Sequence, residues 1–434
     1  MAAGQQRQQP AVCNEPDASA ILAELCLQSL VVSEEQPDGT TRFRFLESVR
    51  QFLEEQLRGA ARASARQVHR DYYCQVTGVQ RTAWQVDADN LEAALESALD
   101  DEAVEDAFAL LPAACFLWRQ RGGLGRNRER LRRVLELAGG SIEGRTQALI
   151  AAGKLLTRSA GEHEAARAYL QEAQVLAQSN YNLALEAEAT AGLAFLVWLA
   201  EGQAEEAMTQ LTAARTQARA AGDRNVEAQV LNHLGVLEIR WNRSPLGAEE
   251  YYREAQALYE ALGDERHANN VRMNRAIAFG EANQPERALE LFATCRKIGE
   301  RLGDRVSRAD IANNMTVVLV SLGCWTEAME SCQLAIQESW QLNYLYILGY
   351  ALWNLTEICL HYRQAARATR LLAFSETFWT QQFGPLSDDD KAVAESIRAR
   401  SRERIGVAQT LLHSGEGRAL SLSEAVTLAL EPLG

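Results

Sequence analysis

Apolar residues recur along most of this chain at helical spacing, and whole helices recur every 40 residues. Ala248, Ala288, Ala328 and Ala368 form one ladder, Asn274, Asn314 and Asn354 a second, and Leu262, Leu302 and Leu342 a third. Gly263-Asp264 and Gly303-Asp304 mark two of the turns. A period of ~20–50 residues is the mark of stacked structural repeats. The pattern predicts an all-α solenoid of helix hairpins. The pairs fall near 145–178, 184–221, 225–262, 266–302, 305–341 and 345–383, and the first two follow the period loosely. The ladders have a packing reason. A small Ala on the second helix lets the two helices of a pair approach closely. Tyr252 and Phe292 fill the gap one turn later, with Cys332 and Leu372 in that place in later units. Leu is read as the last core contact, Gly as the left-handed residue that ends the helix, and Asp as the start of the turn.

Outside the array the pattern changes. Residues 1–17 are polar and read as disordered. Residues 18–60 read as helix, strand, Asp38-Gly39 turn, strand and helix, with Phe43 and Phe45 alternating with Arg42 and Arg44. This is the tail end of a winged-helix unit. Residues 65–140 are helical without an evident repeat, and Asp87 is placed to cap the helix that carries Leu91 and Leu95. Residues 387–434 hold one long helix after Ser387 and a short one starting at Ser421 or Ser423.

Composition narrows the function classes. The net charge of −14 over 434 residues argues against bulk nucleic-acid binding. The eight cysteines, Cys13, Cys26, Cys74, Cys115, Cys295, Cys324, Cys332 and Cys359, form no C-x-x-C pair and read as reduced cytoplasmic thiols. No membrane span and no signal peptide are read from the sequence.

LNHLGVL at 231–237 and the alanine ladder resemble tetratricopeptide repeats in a lengthened form. A narrower resemblance covers nearly the whole chain. RFRFLESVRQFLEEQL at 42–57 is similar to the end of the winged helix in bacterial signal-transduction NTPases of the STAND class. DADNLEAALESAL at 87–99 and WRQRGGLGRNRERLRRVLEL at 118–137 resemble the helices that follow it in those proteins, and GEGRALSLSEAVTLAL at 415–430 resembles their C-terminal ending. The resemblance implies a conformational switch in which a nucleotide-binding core is held by the winged helix while the repeats sense a ligand. This sequence departs from that pattern because it contains no G-x-x-x-x-G-K-[ST]. Ala151-Ala152-Gly153-Lys154 is the nearest match, with Leu155 where Mg²⁺ needs a hydroxyl, so ATP binding is not carried over. The chain is therefore expected to be a fragment, a truncated gene product or half of a split system.

No catalytic residue, cofactor site or metal site is expected. The six histidines are scattered, with no metal-ligand placement. The expected role is a non-enzymatic scaffold that senses a protein, peptide or small inducer in its concave groove. Alternatives are a regulator or ATPase whose nucleotide-binding core is supplied in cis or in trans, and a stand-alone peptide-binding adaptor. Asn274, Asn314 and Asn354 are the candidate groove residues, with Tyr350 and His361 close by. Alternatively, these Asn side chains bond across to the adjacent helix. Trp325, Trp340, Trp353 and Trp379 are read as inter-helix packing or as stacking surfaces. Arg126, Arg128, Arg130, Arg132 and Arg133 form a candidate phosphate or interdomain patch, weighed against a solvated face paired with acidic residues. Direct nucleic-acid contact and a membrane partner are not expected.

Overall fold

A computed structural model describes residues 15–35, 41–79, 87–121, 124–157 and 161–432. The stretch read as disordered, the Asp38-Gly39 turn and the Gly122-Gly123 pair lie wholly or largely outside the described residues. The chain divides into two compact units, residues 1–76 and 77–434.

The first unit contains helix α1 (Glu15–Leu27), strands β1 (Val31–Glu35) and β2 (Thr41–Phe45), and helix α2 (Glu47–Gln56). Helix α3 (Gly59–Val79) begins in it. The strands pair antiparallel, with Val31 opposite Phe45 and Ser33 opposite Phe43. This is the predicted helix–hairpin–helix unit. Several of its apolar side chains are not enclosed: Val31 is buried, but Ile21, Leu27, Phe43, Phe45 and Phe52 are all exposed.

The second unit begins with α4 (Ala88–Asp100), α5 (Val104–Arg121) and α6 (Leu124–Glu136). Six helix pairs follow: α7 (Ile142–Leu156) with α8 (His163–Ser179), α9 (Leu183–Glu201) with α10 (Ala204–Ala221), α11 (Arg224–Arg240) with α12 (Pro245–Ala261), α13 (Glu265–Glu281) with α14 (Pro285–Arg301), α15 (Arg305–Ser321) with α16 (Trp325–Gln341), and α17 (Leu345–His361) with α18 (Ala365–Phe383). Two helices close the chain, α19 (Asp388–Ala419) and α20 (Leu422–Leu430).

The alanine ladder explains the close pairing. Ala248, Ala288, Ala328 and Ala368 are all fully buried, as are Tyr252, Phe292, Cys332 and Leu372 one turn later. The ladder also reaches further back than the 40-residue period indicates. Ala166 and Ala207 are fully buried too, each followed by a buried leucine, Leu170 and Leu211. These early steps are one residue longer, which is why the first two pairs fit the period only loosely.

Three of the five turns between pairs follow one rule, and Tyr181 and Asn343 take the positive-φ place in the other two. Gly222, Gly263 and Gly303 take positive φ, and the next residue, Asp223, Asp264 or Asp304, accepts backbone N–H bonds at the start of the following helix. The leucine before the glycine is not the last core contact that the sequence implies. Leu262 is exposed and Leu302 and Leu342 are only partly covered, because each sits one residue beyond the face that meets the neighbouring helix.

Three further sequence readings change. Asp87 stands at the N-cap of α4, but its side chain makes no capping bond there. The long helix after Ser387 is broken at Gly406 by a non-helical backbone (φ 79°, ψ 162°). Helix α9 is long and apolar enough, by length and composition, to cross a membrane, although no such run is read from the sequence. Ala187, Ala191, Ala194 and Leu196 on it are buried, and it packs between α8 and α10, so it serves as a core helix of the array.

Successive first helices touch one another: α7 with α9, α9 with α11, α13 with α15, and α15 with α17. Second helices of successive pairs do not approach comparably. The array therefore curves with its first helices on the inner side. Helix α5 packs on α7 and also against α17, six pairs away. The inner ring of helices thus closes on itself.

Candidate ligand groove

The inner face is built from one register of each first helix. Asn274, Asn314 and Asn354 are partly buried there, and Asn270, Asp310 and Tyr350 stand one turn earlier on the same face. The amide ladder links consecutive helices. Asn274 Nδ2 donates to Asn232 Oδ1 at 2.7 Å, and Asn354 Nδ2 donates to Asn313 Oδ1 at 3.0 Å. Asn314 Nδ2 donates to the Asp310 carbonyl at 2.8 Å and lies 3.8 Å from the Met273 sulfur. Each of the three amides thus donates within the array.

Tyr350 and His361 are not brought together. They stand near opposite ends of α17, about 16 Å apart at 1.5 Å per residue. Tyr350 belongs to an aromatic cluster, 4.5 Å from Trp379 and 5.2 Å from Tyr346 between ring centres. Trp379 in turn meets Phe383 at 4.8 Å. Tyr346, Tyr350, Trp379 and Phe383 are each partly exposed. His361 instead stacks on Trp325 at 4.0 Å with planes 10° apart, and it pins α17 to the start of α16. Of the other two tryptophans, Trp340 is exposed and Trp353 packs on the core around Leu352.

Sequence reasoning missed the acid beside this cluster. The Tyr344 hydroxyl donates to Asp310 Oδ1 at 3.1 Å. Tyr344 is buried and packs with Ala309 and Ile347, and Tyr346 lies against the same group. Burial pushes the Asp310 carboxyl up from its ordinary 3.8 to about 7, and repulsion from Asp304 adds to the rise. The Tyr344 hydroxyl and the Arg119 guanidinium on α5 oppose it. Burial and the nearby Asp310 charge also hold Tyr344 well above the usual phenol range. The 40-residue register that carries Asn314 and Asn354 also aligns Asp310 with Tyr350; that was the available signal.

The arginine patch is internally compensated. Arg130 bonds Glu92 at 3.0 Å, and also Glu96 and Asn127. Arg133 reaches Glu96 at 3.1 Å and Asp100 at 3.6 Å. Arg128 pairs with Glu162, and Arg132 with Glu129 and Glu136 on its own helix. The Arg126 side chain lies outside the described residues. Arg130 and Arg133 tie α6 to α4, so a phosphate there would compete with carboxylates already in place. Ala151 to Lys154 lie inside α7, where Lys154 bonds Glu188 at 2.6 Å. The missing side chain of Gly153 leaves room for Leu170, and no phosphate loop forms there. The buried thiols are packing groups: desolvation raises Cys359 to about 11 and Cys295 to about 12.

No family model matches the sequence. The curated relatives include "Putative HTH-type transcriptional regulator Mb0914c" of Mycobacterium bovis and its namesake Rv0890c of Mycobacterium tuberculosis, each 25% identical over 331 residues. The match takes in 72% of this chain and 33% of each relative, so the chain spans about a third of their length. Among solved structures, the STAND protein PH0952 from Pyrococcus horikoshii, described as having a tetratricopeptide repeat sensor, aligns over 97% of this chain and 60% of its own, with TM-score 0.50 and 14% identity. A Rap protein complexed with competence and sporulation factor aligns over 73% of this chain and 92% of its own, with TM-score 0.47 and 13% identity. The fold is a tetratricopeptide-like helical repeat array, similar to that of a STAND sensor.

Proposed function

We propose that this chain is the ligand-sensing repeat portion of a STAND-type regulator, acting in the cytoplasm by binding rather than by catalysis. The observation that carries the reading is the inner face: asparagine amides recur at one register along a ring of first helices that α5 closes. Equivalent positions in stacked repeats form a continuous line, suited to an extended peptide or a segment of a partner protein. The regulators similar to it in sequence are about three times its matched length, which is in keeping with a sensor working beside other domains.

A second reading adds a nucleotide-binding core in cis or in trans. The exposed Ile21, Phe43, Phe45 and Phe52 favour it, because a helix–hairpin–helix unit of this size leaves apolar faces for other helices to cover. The test of the sensor reading is peptide selection on the purified chain, followed by hydrogen exchange with the enriched peptides. Protection of α13, α15 and α17 is expected. Protection confined to the second helices would place binding on the outer surface and sink the groove reading.

A further inference from the structure

The last long helix carries a segment folded with its apolar side outward. Helix α19 is broken at Gly406, and residues 407–419 follow the break. The face this segment turns to the protein is small and polar: Thr410, Ser414 and Gly417 are buried. Gly417 approaches α18 so closely that a Cβ there would stand 2.2 Å from the Arg370 carbonyl oxygen. Glu416 lies 3.9 Å from the Arg370 guanidinium at the same contact. The opposite face is apolar and open. Val407, Leu411 and Leu412 are 61%, 64% and 54% exposed, and Ala408 is exposed beside them. A surface helix ordinarily does the reverse, with its apolar stripe inward.

The open face supplies its own complement. Val407, Leu411 and Gly415 form one row at intervals of four residues, and Ala408 and Leu412 form the next. Read backwards, the first row matches itself: Leu411 meets Leu411, and Val407 meets Gly415. A Cβ at Gly415 would touch nothing within 4 Å, so that place is free to receive a side chain. A twofold axis at Leu411 brings two such helices together antiparallel in this register. Charge agrees with the match. Residues 405–415 contain no Asp, Glu, Lys or Arg, in a chain that is 24% charged and carries −14 overall. Two copies can therefore meet here without setting like charges against each other. The three large side chains expose on the order of 300 Å² of apolar surface. With its rim, such a face buries about 1,000 Å² over two copies, at the lower edge of specific interfaces.

We propose that this face is a self-association site, at which two copies of the chain pair antiparallel through residues 407–415 about a twofold axis at Leu411. A second copy is the occupant because the row is complementary to its own reverse, large side chain against open glycine. The pairing lies on α19, outside the row of first helices, and does not depend on the groove reading.

Sedimentation velocity on the full chain, from about 1 to 200 µM, is expected to show a monomer–dimer equilibrium with a midpoint of about 10 µM. Leu411→Glu sets two carboxylates at the axis and should weaken association at least about tenfold. Gly415→Leu fills the place of the incoming Val407 and should do the same. It should also melt no lower than wild type at about 1 µM, because the position is open in the monomer and leucine is the better helix former. Under mild oxidation, Leu411→Cys should give an interchain disulfide, and Gln409→Cys, exposed on the same segment but off the stripe, should not. Circular dichroism of each variant checks the fold; if Leu411→Glu loses helix, Gly415→Leu decides. A wild-type chain that stays monomeric at about 200 µM overturns the proposal and leaves the stripe to a different partner. A dimer that Gly415→Leu leaves intact, or one in which Gln409→Cys crosslinks as readily as Leu411→Cys, overturns it as well.

Discussion

Replacing Asp310 with Asn should stabilise the protein at alkaline pH and do little at acid pH. The acid sits against Tyr344 on the inner face, and its carboxyl is raised from 3.8 to about 7, mainly by burial. Between those values the folded chain holds a proton that the unfolded chain has released. Stability therefore falls as pH climbs through that window and stays at its lower level above about 7. Three units at about 1.4 kcal/mol each set a ceiling of about 4 kcal/mol. Partial solvent access at Asp310 reduces this, so the expected gain is about 1–3 kcal/mol. Asn keeps an oxygen to accept from Tyr344, so the bond at 3.1 Å need not be lost. Thermal melts of wild type and variant at pH 4.5 and pH 8.5 measure the effect. The variant should melt a few degrees higher at pH 8.5, and the two should nearly coincide at pH 4.5. An equal difference at both pH values would show that the carboxyl does not titrate in this window. A loss of stability at pH 8.5 would show that its pairing with Arg119 outweighs its desolvation.

Other substitutions test the packing. Ala328→Leu places three further carbons where Ala328 is fully buried against Leu352 and its neighbours, and should cost about 1–3 kcal/mol in a thermal melt. Changing Asn274, Asn314 and Asn354 together to Ala removes two amide bonds between consecutive first helices and one to the backbone of the same helix, and urea unfolding should show a loss of about 0.5–1.5 kcal/mol per bond. Tyr181 holds φ 53° at a junction where three of the other four equivalent turns use glycine, and it is 92% exposed. Tyr181→Gly should therefore raise the melting temperature slightly, through relief of about 1 kcal/mol of backbone strain.

The architecture was legible because small residues, large residues and breakers repeat in a fixed order. An alanine every 40 residues cannot be a surface accident when an aromatic or leucine follows one turn later, and the burial of Ala248 through Ala368 has that cause. What the ladder hid was a change of step. Ala166 and Ala207 belong to it at 41-residue spacing, and a rigid period passes over them. The leucine of Leu-Gly-Asp misled for a different reason: its position in the repeat is fixed by the turn, and Leu262 faces solvent. The site was legible only in part. Asn positions on one face follow from register alone, but which atoms of Asn274 face the groove depends on Asn232 in the preceding first helix, 42 residues earlier. Asp310 looked like an ordinary polar residue in a helix, because its environment is made by Tyr344, by Asp304 and by Arg119 nearly two hundred residues away. The arginine run on α6 was conspicuous in sequence and proved to be occupied, because its partners Glu92, Glu96 and Glu162 lie on separate elements.

Closure of the inner ring turns local binding into a change that another part of the array must register. Helix α5 touches α7 at one end of the array and α17 at the other. A change in spacing among the first helices therefore has to move α5 relative to α7, to α17 or to both. The repeats themselves are stiff: the helices of a pair are joined at fully buried alanines and by ion pairs such as Arg305–Glu338 at 2.8 Å, and adjacent pairs are joined by ion pairs such as Lys154–Glu188 at 2.6 Å. Close-packed interfaces of this kind switch between arrangements rather than deform gradually. The α5–α17 contact closes the ring and is small compared with the interfaces within pairs. Asp310 on α15 accepts from Tyr344 at the start of α17, so it stands where those two first helices meet. Coupling of this kind is reciprocal: if a ligand in the groove shifts the α5–α17 contact, whatever stabilises that contact must change the ligand's affinity by the same factor.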